Sequence, residues 1–232
     1  MRFSRIVPLI SALGAAAAAP VAAQSFEGTI WFASHRDENA PADTLIQTTK
    51  GSLVKLETRS GTGGDRGGYA VLDTKAHTMT VIMAREQKYM TMPIPAPSPA
   101  AQKRMGEISF TETSRTETVA GVSCQVYHVS RVDSDGKKKE GDGCFAKNVG
   151  LAIGNIFSSY TGTASLGAEN PAFAKLTQQN MHLVKATETK DGKASGWLEM
   201  IKVDRSAVPN SAFEAPAGYT KMEMPMMPGK MP

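Results

Sequence analysis

Short runs rich in β-branched, aromatic and methionine residues, each closed by turn chemistry, recur along almost the whole chain after residue 25. That rhythm leaves few folds open. Ten runs read as strands: 26–34, 53–58, 69–73, 78–84, 88–92, 108–118, 123–132, 138–146, 181–189 and 196–204. Their composition suits a pleated surface buried on at least one side. Asp135-Gly136 and Asp191-Gly192 are dipeptides that readily take the positive φ of a tight hairpin turn. Strands at this spacing predict a β-dominated domain, and no repeat of roughly 20 to 50 residues is visible.

Two stretches break the β rhythm. In the first, Ser98 is placed to cap a short helix, Pro99 takes its first position, and Gly106 stops it after Met105. The second starts near Asn148, continues through Ile153 and Phe157, and restarts after Asn170-Pro171 as far as Leu176. Apolar helical segments in a strand-rich domain need a surface to bury against. A curved antiparallel sheet wrapped around one or two helices provides it, so the fold class expected is α+β, β-dominated, with a half-barrel sheet.

The first 23 residues read as a cleaved export signal. Arg2 and Arg5 form a positive start, residues 6–19 an apolar run, and Val21-Ala22-Ala23 a small-residue cleavage site. The apolar run is shorter than the roughly 20 residues needed to span a bilayer, and no later stretch is a transmembrane anchor. No cysteine follows the cleavage site to carry a lipid anchor. The expected product is periplasmic or secreted, with a single β-rich domain over 24–221 and a Met/Pro-rich tail over 222–232.

Export to an oxidising compartment favours pairing the two cysteines, Cys124 and Cys144. They flank the Asp135-Gly136 turn unequally, so a hairpin brings them together only with a bulge or a longer loop. The formal charge of +4 falls to +2 without the leader arginines, too little for a nucleic-acid footprint. Lys137-Lys138-Lys139 is interleaved with acids and reads as a solvated hairpin tip.

No catalytic constellation emerges. The Gly-rich stretch Gly61-Thr62-Gly63-Gly64-Asp65-Arg66-Gly67-Gly68 is followed by a strand, whereas a phosphate cradle needs a helix N-terminus, so it reads as a hairpin loop. His35, His77, His128 and His182 are widely separated and lack metal-ligand spacing. No serine sits in a G-x-S-x-G elbow. An enzyme is therefore not expected, and no cofactor.

Methionine is the recurrent filler of an aromatic-poor chain. In 78–84 a period of two places Met79, Val81 and Met83 on one face, and Met90 and Met92 follow in the next strand. Thioether side chains make a soft lining for apolar ligands of variable shape. These five residues, with Ile153 and Phe157, are the candidate ligand contacts. Met222, Met224, Met226 and Met227 lie in the proline-broken tail and form a candidate Cu(I) site, since thioethers suit soft cations.

Three segments carry a resemblance. Val119-Ala120-Gly121-Val122-Ser123-Cys124-Gln125-Val126-Tyr127 is similar to the central motif of an exported bacterial family of unknown function. The opening Ser25-Phe26-Glu27-Gly28-Thr29-Ile30 and the closing stretch from Val208 through Pro216-Ala217-Gly218-Tyr219 to Lys221 match the same family. That family resembles the periplasmic lipoprotein carriers, which implies an antiparallel half-barrel cupping helices over an apolar cavity. The resemblance implies architecture and no activity. The resulting expectation is an exported, non-enzymatic protein binding a lipid or acyl chain in that cavity. The alternatives are a structural or protein-interaction module of the cell envelope, and Cu(I) binding by the tail.

Overall fold

The computed structural model describes residues 26–35, 41–62, 65–94, 107–132, 136, 138–149, 175–176, 178–190 and 193–223. The leader, the first helical segment, most of the second with Ile153 and Phe157, and Met224, Met226 and Met227 lie outside them.

The described strands form one sheet. They are β1 (Gly28–His35), β2 (Asp43–Lys50), β3 (Leu53–Arg59), β4 (Asp65–Asp73), β5 (Thr78–Met83), β6 (Lys88–Pro93), β7 (Glu107–Val119), β8 (Val122–Val132), β9 (Lys138–Lys147), β10 (Met181–Lys190), β11 (Lys193–Asp204) and β12 (Thr220–Lys221). Their order is β12-β6-β5-β4-β3-β2-β1-β11-β10-β9-β8-β7. Two antiparallel meanders, β1 to β6 and β7 to β11, are thus joined along β1 and β11. Strands consecutive in the chain make nine of the eleven neighbour pairs, as sequential pairing favours.

All ten expected strands are present within a few residues of their sequence bounds. Two further strands are not legible in the sequence. β2, DTLIQTTK, carries Gln47 and Thr49 at positions opposite apolar residues, so its alternation is blurred. β12 is only two residues, Thr220 and Lys221, with no β-rich run around them. It pairs parallel with β6 through backbone bonds, Thr220 N to Gln87 O at 3.0 Å and Met222 N to Tyr89 O at 2.8 Å, which need no β-rich side chains. Part of the Gly-rich stretch is also strand, because β4 begins at Asp65. Deleting Glu223–Pro232 should leave the melting temperature within a few degrees of the parent, whereas deletion from Thr220 should lower it measurably by uncovering β6. Thermal unfolding of the two truncations checks this.

The sheet rolls up at the β7 end. β7 comes within 8 Å of β11, although three strands separate them and flat spacing would hold them about 19 Å apart. The bend is a bulge: Glu112 faces Tyr127 and Thr116 faces Gln125, leaving three residues against Val126. The Gln125 amide donates to the carbonyls of Thr113 and Arg115, and Thr113 Oγ1 donates to Val126 O at 2.7 Å. Lys185 on β10 then reaches Glu117 on β7 at 3.0 Å.

Apolar residues are buried on both faces. The largest cluster joins Ile30, Phe32, Met200, Val184, Cys144, Ala146, Cys124, Val126 and Val119 on the inner side of the roll. On the opposite face of β8 and β9, Tyr127 and Phe145 pack with Met181 and Leu176, the latter helical with residue 175. On the outer face of β3 and β4, Leu53, Tyr69 and Val71 are covered by Val208 and Phe213, the latter in the 3-10 turn Asn210–Phe213.

The three family-like segments have structural roles. Glu27 accepts from Val208 N at 2.9 Å and Lys50 donates to Val208 O at 2.6 Å, so the opening segment holds the closing one. Gly28 has φ of 145°, and a Cβ there would stand 2.1 Å from Asp204 O. In the central segment, Ala120 (φ 46°) and Gly121 (φ 78°) connect the paired Val119 and Val122 as a two-residue hairpin turn. Left-handed backbone costs an L-residue roughly 1–2 kcal/mol. Ala120→Gly should therefore raise the denaturant midpoint slightly, and Gly121→Val should lower stability by about 1 kcal/mol or more.

Candidate functional site

The register of β1 to β6 lays out a continuous inner face. One row of directly opposed residues runs Ile30, Gln47, Leu56, Ala70, Val81, Met90, and a second runs Gly28, Thr49, Val54, Leu72, Met79, Met92. The five methionine and valine positions read from the sequence, Met79, Val81, Met83, Met90 and Met92, share this face, because partners directly opposite in an antiparallel pair point to the same side. Met79 faces Met92 and Val81 faces Met90, a ladder rather than a scatter.

Burial changes along the rows. From β1 to β4 the members are buried, whereas all five residues on β5 and β6 are half-buried. Met79 packs with Ile94 against the buried Val54, Leu56 and Leu72. Met222, expected in a separate tail site, lies next to Met90 in the β12 register and is also half-buried. The arrangement is an accessible apolar margin continuous with a closed apolar interior.

Gln47 and Thr49 interrupt this face and carry no sequence signal, since they blur the alternation of β2. Both are fully buried. Gln47 Nε2 donates to Thr49 Oγ1 at 3.2 Å, while Gln47 Oε1 is buried without a hydrogen-bond partner. An unsatisfied buried carbonyl costs roughly 1–3 kcal/mol.

The cysteines form the disulfide expected, with S–S 2.02 Å and Cα–Cα 5.5 Å. The bridge forms without a bulge in the β8–β9 register. Cys144 is directly opposite Val126, so the offset remains and the bridge runs diagonally to Cys124, two residues along β8.

The histidines do not converge. His35 stacks on Trp197 with ring centroids 3.9 Å apart, and His77 sits in the β4–β5 turn with φ of 53°. His128 lies between two carboxylates, Nδ1 at 3.3 Å from Asp142 and Nε2 at 3.8 Å from Glu140. Both ring nitrogens thus face acids. Burial pushes the Asp142 carboxyl up, but hydrogen bonds from Arg115 and His128 more than offset this and hold it below the usual carboxylate range. His182 is buried with Nδ1 unpartnered, and burial pulls its pKa from 6.5 down to about 4. Among the described residues no group of three or more His, Cys, Asp or Glu side chains could hold a metal, and no helix is long and apolar enough to cross a membrane.

Fold and face together define a curved, mostly antiparallel half-barrel with an apolar inner surface. The chain belongs to the family described as domain of unknown function (DUF4412), whose model matches residues 26–219. Among solved structures it is similar to MucB, at 12% identity and a TM-score of 0.40 over 83% of this chain. It spans only 57% of the MucB chain. It is also similar to LprF from Mycobacterium bovis, at 9% identity and a TM-score of 0.32, over 79% of this chain and 89% of that one. No curated protein matches.

Proposed function

We propose that this protein is an exported, non-enzymatic binder of an apolar ligand, a lipid or acyl chain, which it takes up on the inner face of the sheet at β5 and β6. The observation that carries the reading is the half-buried ladder of Met79, Val81, Met83, Met90 and Met92, continuous by register with the buried interior of β1 to β4. A soluble protein gains by covering such a margin, at about 25 cal/mol per Å² of apolar surface removed from water. Unbranched thioether chains adjust to ligands of different shape at little cost, which suits a carrier better than a rigid β-branched lining. Export rests on the leader read from the sequence.

Extraction of the intact protein, purified from its native compartment, followed by mass spectrometry is the test. A stoichiometric lipid or long-chain compound is the expected result. Protein that carries none, and takes up no fluorescent fatty acid, overturns the proposal.

A further inference from the structure

We infer that Gln47 anchors the polar end of the ligand, and that this end is an uncharged hydroxyl rather than a carboxylate or a phosphate. The inference rests on the reading of the inner face as the ligand-binding surface. Gln47 stands between Ile30 and Leu56 in a row whose other members are all apolar, and its Oε1 is the one inner-face oxygen on β1 to β6 recorded as buried and unpaired among the described residues. Its amide is already committed to Thr49 on one side. If the amide is turned end for end, the orphan becomes an N–H in place of a carbonyl. A hydroxyl, which both donates and accepts, satisfies either orientation.

Charge decides against an acid. Neither of these two rows contains a charged side chain; the cation beside them, Lys88 opposite Met83, is exposed at the β6 margin, four strand spacings from Gln47. A carboxylate or phosphate brought to Gln47 would lose its hydration with no cation to replace it. A pure hydrocarbon would leave the orphan as it is. From Gln47 on β2 to Met90 on β6 the row crosses four strand spacings, about 19 Å along the sheet, which is the reach of a long alkyl tail. The ligand class is therefore a long-chain alcohol or an ester of a polyol with a free hydroxyl. Its head lies at Gln47 and its tail runs out over Val81 and Met90. Gln47 is closed off in the free chain between Ile30 and Leu56, so the head reaches it by displacing these neighbours, while Met90 at the far end of the row adapts to the tail.

The test is displacement of a neutral polarity-sensitive alkyl dye from the full chain by three probes of equal chain length: 1-tetradecanol, its methyl ether and tetradecanoate. Expected for the parent protein is that the alcohol displaces the dye at about tenfold lower concentration than the ether, with the carboxylate weakest. In Gln47→Leu the alcohol's advantage should fall to near one while dye binding persists. The unfolding midpoint of that variant should equal or exceed the parent's, since an unsatisfied group is removed. Gln47→Met, closer in shape, serves if leucine does not fit. Equal potency of alcohol and ether in the parent, or an advantage that survives both substitutions, overturns the inference while leaving apolar binding intact. Failure of the dye and all three probes to bind overturns the underlying reading instead.

Discussion

Replacing Cys124 and Cys144 together with alanine is expected to lower the free energy of unfolding by about 3 kcal/mol. The bridge closes a separation of 20 residues and ties β8 to β9, both thiol positions being buried in the inner cluster. Removing it frees the unfolded chain more than it disturbs the folded one, because β8 and β9 remain in register through the flanking pairs Gln125 with Phe145 and Tyr127 with Gly143. The denaturant midpoint should fall in the double variant, and by a similar amount when the parent is unfolded under reducing conditions. Coincident midpoints for oxidised and reduced protein would contradict the assignment of the bridge as a main staple of the β7–β11 half.

The second large effect is acid sensitivity centred on His182. Burial lowers its pKa from 6.5 to about 4, so the folded protein holds the ring neutral where the unfolded chain is already protonated. The unfolded state therefore binds more protons between those values. Stability is complete above pH 6.5, declines as pH falls through the window, and levels off for this group below about 4, with a loss of order 3 kcal/mol. His182→Leu should flatten that part of the curve. Carboxylates titrate in the same range but contribute equally to parent and variant, so the difference between the two curves isolates the histidine. Parallel curves would show that the ring does not control acid unfolding.

The methionine face was legible because period-two alternation in 78–84 fixes which side chains share a side, and antiparallel pairing with β6 then carries the same face across to Met90 and Met92. What the sequence hid has physical causes. β2 places two polar residues toward the interior, so the strand with the most informative side chain, Gln47, was the one that alternation could not find. β12 is held by main-chain bonds, which leave no compositional trace. The roll of β7 onto β11 follows from two extra residues within a single strand run, and strand propensity is blind to a bulge. The diagonal disulfide depends on the register of β8 against β9, which spacing of the cysteines alone leaves open.

The central claim is that the margin formed by β5 and β6 takes an apolar chain. It is tested most directly by titrating a fluorescent long-chain probe into the intact protein and into Val81→Asp and Met90→Asp, each placing a charge on a half-buried position of the ladder. The account predicts saturable uptake at one site in the parent and its loss in both variants, with the fold retained in each as judged by circular dichroism. Absent uptake in the parent, or uptake undiminished by either charge, would contradict it.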